Sequence, residues 1–175
     1  MKTLHLLRHA KSSWKGEGEA DHDRPLSPRG KRGARAMAAW FAREGVAADL
    51  VLVSTARRTR ETWARVARGI SGEPTVNEDP ALYLAAETEL ARVLRARGGR
   101  AGAVLLIAHN PVMHDLALSL AADGARDDLK RLAAKFPTAG FVTIALDIAR
   151  WRDLASGKGR LVRFVTPREL VAEEG

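Results

Sequence analysis

Two apolar runs in this chain end in histidine. Thr3-Leu4-His5-Leu6-Leu7 leads into Arg8-His9-Ala10-Lys11-Ser12, and Val104-Leu105-Leu106-Ile107-Ala108 leads into His109-Asn110-Pro111. Short apolar runs of this kind read as buried strands, so each histidine is delivered to a strand end. Together they would set two titratable imidazoles and the permanent cation of Arg8 in one pocket. That pocket suits a phosphoryl group. A guanidinium offers planar, paired donors, and an imidazole, with an ordinary pKa of about 6.5, attacks phosphorus without prior deprotonation. The competing reading for either histidine alone is a strand-end side chain that bonds a carbonyl; the pairing of the two ends favours chemistry. A metal is disfavoured. The chain has no cysteine, and arginines beside a metal would repel it.

The elements that must position these residues alternate between strand and helix. A first strand is expected at 3–8, followed by a polar, glycine-bearing loop from Ser12 to Pro25. Ser27 is a good N-cap with Pro28 at the first helical position. The helix it starts carries Ala34, Met37, Ala38 and Phe41 at the spacing of a buried face, and Gly45 ends it. Leu50-Val51-Leu52-Val53 reads as a central parallel strand. A helix capped by Ser54 or Thr55 continues through Thr62 and Val66 to Gly69. A short strand at Thr75-Val76, a helix over 87–96, a strand over 103–108, a helix from Pro111, and strands over 141–146 and 161–165 complete the pattern. This predicts one domain over 1–175, of the α/β class: a three-layer α/β/α sandwich with a mostly parallel central sheet. Such sheets bind ligands at the carboxyl ends of their strands. Arg8-His9, Ser54 to Arg58, and His109 all fall there.

The chain also resembles the histidine phosphatase, or phosphoglycerate mutase-like, superfamily, and within it the short SixA-type phosphohistidine phosphatases. The family's strand followed by Arg-His-Gly/Ala reads here as Leu6-Leu7-Arg8-His9-Ala10. Its aspartate followed by Pro-Leu-Ser/Thr and glycine reads as Asp23-Arg24-Pro25-Leu26-Ser27-Pro28-Arg29-Gly30. Its serine, arginine and threonine opening a helix read as Ser54-Thr55-Ala56-Arg57-Arg58-Thr59-Arg60-Glu61-Thr62. Its strand followed by Gly-His reads as Ile107-Ala108-His109-Asn110-Pro111. Ala108 stands where the family has glycine, and Thr55 and Thr59 stand where it has proline and alanine. These are exchanges between small residues and remove no chemistry. The resemblance implies His9 as a nucleophile that becomes phosphorylated and Arg8 and Arg58 as clamps on the phosphoryl oxygens. It implies His109 as a second imidazole, protonated when phosphate is bound and donating to it. The family spacing selects Arg58, four residues after Ser54 and four before Thr62; Arg57 and Arg60 are expected on an exposed basic face. Ser12 is a candidate phosphate contact through its hydroxyl or backbone N–H, with an ordinary turn serine as the alternative.

No carboxylate stands in a recognisable general-acid motif. Larger family members place a glutamate after the third strand, where this chain has Asn77-Glu78-Asp79-Pro80-Ala81-Leu82-Tyr83, so Glu78 and Asp79 are the candidates. Between Val76 and Ala103 there is room for a loop and one helix but not for a lid. A phosphohistidine leaving group departs as neutral imidazole once its ring is protonated, whereas an alkoxide needs a strong proton donor. Both features point to phosphohistidine on a partner protein. The alternatives are a broad-specificity phosphatase of small phosphate monoesters, and a non-catalytic phosphate-sensing or nucleic-acid-binding module. The net charge of +8 and pI of about 10.6 admit nucleic acid. However, the basic residues recur at helical spacing without the interleaved aromatics that stacking needs, and a positive field serves equally to attract phosphorylated or acidic partners. No apolar run approaches a membrane span, and the N-terminal run is too short for a signal peptide. A cytoplasmic, monomeric protein without metal or other cofactor is therefore expected. His5, His22 and His114 receive no catalytic role. Asp23 with Arg24 is expected to tie the loop to the sheet, and Thr138 to belong to loop structure.

Overall fold

The computed structural model describes residues 1–14 and 19–173. Its centre is a seven-stranded sheet: β1 (Lys2–Arg8), β2 (Leu50–Ser54), β3 (Thr75–Asp79), β4 (Ala103–Ala108), β5 (Ala121–Gly124), β6 (Phe141–Leu146) and β7 (Gly159–Val165). The strand order is β3-β2-β4-β1-β6-β7-β5. β1, β2, β3 and β4 run parallel, while β6 is antiparallel to both β1 and β7. The six α-helices are α1 (Pro28–Glu44), α2 (Arg57–Val66), α3 (Glu87–Arg97), α4 (Val112–Leu120), α5 (Arg126–Ala134) and α6 (Pro167–Glu173).

Why the layers form follows from the period of a strand. Successive side chains point to opposite faces, and in β1, β2 and β4 every residue except Lys2, Thr3, Arg8 and Ala103 is buried. Leu4, Leu6, Leu52, Val104 and Leu106 join α3 and α4 in one core. Leu7, Val51, Val53, Leu105 and Ile107 join Ala34, Met37 and Phe41 of α1 in the other. Each face of the sheet is thus covered by helices, which gives the α/β/α sandwich. A buried leucine or phenylalanine contributes roughly 1.5–3 kcal/mol, so the doubly covered central strands are the most firmly held part of the molecule. The site hangs from their ends. Among the described residues no helix is long and apolar enough to cross a membrane.

Local sequence sets the edges of these elements. Ser27 Oγ accepts the Gly30 N–H at the start of α1, with Pro28 in the first turn, and Gly45 closes the helix in the left-handed conformation (φ 63°). Several expectations need correction. α2 is capped by Ala56, without a side-chain bond, rather than by Ser54 or Thr55. Ser54 is the last residue of β2, and its carbonyl accepts the Thr59 hydroxyl. The strand expected at Thr75-Val76 continues to Asp79 despite four exposed residues, because it lies against β2 at the edge of the sheet. β5 and α6 have no counterpart in the sequence reading, and α5 appears there only as basic residues at helical spacing. β5 is four residues without an apolar pattern and is held by pairing to β7.

Candidate active site

The register of β1 and β4 brings the two histidines together. Arg8 pairs with Ala108 across the parallel ladder, and the His9 N–H donates to the Ala108 carbonyl at 3.1 Å. His9 and His109 therefore leave neighbouring strands at the same level, and strands lie about 4.8 Å apart. Their ring centroids are 5.2 Å apart, with the planes tilted by 52°. β2 ends beside them, and Ser54 Oγ lies 2.7 Å from His109 Nε2.

The proton on His9 is placed by its partner. Nδ1 lies 2.7 Å from the Ala10 carbonyl oxygen, which can only accept, so Nδ1 carries the hydrogen. Nε2 keeps its lone pair and has no hydrogen-bond partner among the described residues. Burial holds the His9 imidazole down at about 3; the bond to Ala10 opposes this, and His109, Arg58 and Arg8 reinforce it. Burial also holds His109 down at about 4, with Arg58 as the largest charge acting in that direction and Asp21 opposing it. Both rings are neutral at neutral pH in the free protein.

The cations are held by different means. Arg8 Nη1 donates to the Phe136 carbonyl at 3.0 Å. The same carbonyl accepts from Asn110 Nδ2 at 2.9 Å. Ala139, in the left-handed conformation (φ 55°), spans the carbonyls of Arg8 and His9 with its N–H. Backbone strain of this sort costs about 1 kcal/mol or more and persists where neighbours over-determine it. Arg58 is buried at the start of α2. Its Nη1 donates to the Asp21 carbonyl at 2.7 Å and its Nη2 to Asp21 Oδ2 at 3.1 Å. Thr62, one turn on, accepts the Ala10 N–H at 3.0 Å and donates to the Arg58 carbonyl at 2.6 Å. It thereby ties α2 to the backbone beside His9. Among the described residues Arg8 Nε, His109 Nδ1 and Asn110 Oδ1 are buried without partners. Unsatisfied buried polar atoms are uncommon, and three at one sheet edge mark a place built for a polar ligand.

Arg8, His9, Arg58 and His109 thus converge. Arg57 and Arg60 point away, to Glu61 and Glu78. Ser12 is buried, but its hydroxyl accepts from Arg24 Nη2 at 2.7 Å and makes no bond to the four convergent residues. Glu78 is spent on Arg60 at the surface. Asp79 caps the turn after β3, accepting from the Ala81 N–H, and pairs with Arg97. The loop tie expected of Asp23 with Arg24 falls to Asp21: Arg24 donates to Asp21 Oδ1, Ser12 Oγ and the Ser13 carbonyl, while Asp23 stays exposed beside His22. His5 bonds Thr143 and the Ala47 carbonyl, and His114 the Leu132 carbonyl.

Two residues at the site have no place in the sequence reading. Asp21 accepts from Arg58, Arg24 and Tyr83, and these bonds, that of Tyr83 foremost, hold its carboxyl well below the usual carboxylate range. Tyr83, the chain's one tyrosine, donates to Asp21 Oδ2 at 2.8 Å and stands edge-on to His109 at 5.7 Å. Burial and the bond to Asp21 push its phenol upward. Tyr83 could have been found from the rule that ligands bind at strand ends, since it follows β3 closely; nothing in the spacing singles out Asp21.

Comparison with known proteins bears on the family and the fold. A model of the histidine phosphatase superfamily (branch 1) matches residues 4–83. An uncharacterized protein of Mycobacterium tuberculosis is 37% identical over 164 residues, covering 93% of this chain and all of that protein. Among solved structures, the SixA of Nakamurella multipartitia superposes with a TM-score of 0.81 at 29% identity, covering 95% of this chain and 96% of that one. The SixA of Agrobacterium tumefaciens gives 0.79 at 30% identity, covering 95% and 98%. The chain belongs to the histidine phosphatase superfamily and is of the SixA type.

Proposed function

We propose that the protein is a metal-independent phosphatase that removes phosphate from phosphohistidine on a partner protein, through a phosphohistidine of its own at His9. The observation that carries this reading is the Ala10 carbonyl on His9 Nδ1, which leaves Nε2 as a neutral nucleophile beside two guanidinium groups. In the first step the Nε2 lone pair forms a bond to phosphorus as the bond from phosphorus to the leaving nitrogen breaks. The leaving ring, protonated on its other nitrogen, departs as neutral imidazole. Arg8 and Arg58 bind the equatorial oxygens, where charge concentrates in the transition state. The arriving dianion raises the pKa of His109, which then donates to a phosphoryl oxygen. In the second step water attacks phosphorus and His9 leaves with Nδ1 still protonated. Both water protons end on the released phosphate.

Family membership and the SixA neighbours support a phosphatase. The phosphohistidine substrate is supported by the absence, among the described residues, of a protonated carboxyl group at the site, since Glu78 and Asp79 are engaged elsewhere and Asp21 is held as an anion. The test is a substrate panel of a phosphohistidine protein, a phosphoserine peptide and a sugar phosphate, assayed in excess chelator with rapid quenching. Turnover of phosphohistidine with acid-labile phosphate on His9 is expected. Phosphate trapped on another residue, a metal requirement, or turnover of the sugar phosphate alone would overturn the reading.

A further inference from the structure

A groove of about 840 Å³ opens beside the site, bounded by the backbone after β1, the start of α1, the end of α5 and the start of α6. Lys11, Arg29, Arg32, Lys135 and Arg168 line it. None of these five makes an ion pair among the described residues. Elsewhere the chain's arginines are largely neutralised: Arg24, Arg57, Arg60, Arg92 and Arg150 each face a carboxylate within about 3.1 Å. The one carboxylate in the groove lining, Glu169, is already committed to Arg131 and to the N–H and hydroxyl of Thr166. The positive charge of the groove is therefore uncompensated.

The groove is rigidly joined to the candidate nucleophile. Its Lys11 is two residues beyond His9, and its Ala139 donates to the carbonyls of Arg8 and His9. Gly30 of the same wall lies so close to the Lys11 backbone that a Cβ there would fall 2.0 Å from its carbonyl oxygen. The cations stand on four separate segments, too widely distributed for one phosphate, while Ala134, Pro137 and Pro167 supply apolar lining between them. The lining's one aromatic ring, Phe164, is buried and capped by Arg131 at 5.1 Å, so no ring is free to stack on a base.

We propose that this groove docks an acidic segment of the protein substrate, adjacent in that partner to the phosphorylated histidine. The proposal rests on the phosphoprotein reading above. Carboxylates of the segment would pair with Arg29, Arg32, Lys135 and Arg168, and its main chain would lie along the apolar strip. Charges at such a rim act mainly on encounter and specificity, so the groove would select among phosphohistidine proteins without taking part in the chemistry.

The test uses a labelled, unphosphorylated acidic decapeptide, a neutral decapeptide of the same length, and the two corresponding phosphohistidine peptides. The groove variant carries Arg32→Glu, Lys135→Glu and Arg168→Glu. The control carries Arg100→Glu, Arg152→Glu and Lys158→Glu, the same change in net charge at exposed positions outside the groove. The wild type should bind the acidic peptide about tenfold or more tightly than the neutral one, with a KM preference of similar size between the phosphopeptides. The groove variant should lose both preferences yet hydrolyse free phosphohistidine at the wild-type rate, and the control should keep them. Equal loss in the control, no preference in the wild type, or tighter binding of oligothymidylate than of the acidic peptide through the same three cations would overturn the docking proposal. Peptide binding with no hydrolysis of any phosphohistidine compound would instead leave the groove intact and overturn the phosphatase reading.

Discussion

Removing Arg58 separates chemistry from scaffolding. Its side chain is 8% exposed and presents two terminal nitrogens held at 2.7 and 3.1 Å by Asp21. Its neighbours on α2 have side chains 53% (Arg57) and 56% (Arg60) exposed. An exposed ion pair is worth at most about 1 kcal/mol of stability and nothing in a transition state it does not touch, so Arg57→Ala and Arg60→Ala should leave kcat within about threefold. Loss of a donor to a developing oxyanion costs about 10²–10³ in kcat, or roughly 3–4 kcal/mol, and Arg58→Ala should fall in that range. Arg58→Lys keeps the charge but loses the fork, and should recover only part of the rate. A second readout is independent of turnover. Arg58 is the largest charge holding His109 down, so in Arg58→Ala the His109 midpoint should rise above about 4. Phosphohistidine turnover and histidine NMR on folded variants, matched by thermal melting, provide the assay. Equal losses at all three arginines, or a rate loss at Arg58 with an unmoved His109 midpoint, would refute the placement of Arg58 against the phosphoryl group.

NMR titration of the free protein should show His9 and His109 neutral down to about pH 4; a midpoint near the unperturbed value of about 6.5 for either would contradict their burial. His5, His9 and His109 all have folded pKa values below the unfolded value of 6.5. The unfolded chain therefore binds protons first, and stability is full above pH 6.5 and lost as pH falls towards 4, by up to roughly 3 kcal/mol for each histidine; urea melts with a flat or rising stability across that window would be inconsistent with it. Glu78→Gln and Asp79→Asn should scarcely change kcat/KM on phosphohistidine, and a loss of about 10²-fold or more, the size expected of a general acid, would restore one of them to that role. Gly30→Ala should destabilise by more than about 3 kcal/mol, because its Cβ would meet the Lys11 carbonyl at 2.0 Å; a melting temperature within a degree of wild type would show that α1 can shift away from the site.

The central strands and their layering were legible because β1, β2 and β4 are covered on both faces, and so read as continuous apolar runs. The same runs revealed which residues stand at the strand ends, and so brought Arg8, His9 and His109 together. β5 escaped because its pairing with β7, not its own composition, makes it a strand. Ser54 was visible as part of a motif, but its bond to His109 depends on the register of β2 against β4, which no local pattern encodes. Asp21 was hidden for a related reason. Its partners lie 3, 37 and 62 residues away, and only the folded loop brings them to one carboxylate. The motif drew attention to Asp23, whose side chain faces solvent and His22.

Asp21 also bears on why the site can work without a dedicated acid. A carboxyl group beside the phosphoryl pocket is an obvious candidate proton donor, but Tyr83, Arg24 and Arg58 hold this one as an anion, so at neutral pH it has no proton to give. Tyr83, in turn, has its proton held more tightly than usual by burial and by the bond to Asp21. The two histidines are neutral in the free protein. His9 keeps its hydrogen on the nitrogen facing the Ala10 carbonyl. The surroundings of the pocket thus favour oxyanion binding and a neutral nucleophile, and among the described residues the one proton gained on phosphate binding, that of His109, is engaged by a phosphoryl oxygen in the proposed mechanism rather than offered to a departing alkoxide. A leaving imidazole that brings its own ring proton removes that deficit. On the proposed reading, the geometry that leaves His9 Nε2 free to attack would also favour, by leaving-group chemistry, the phosphoramidate over the ester.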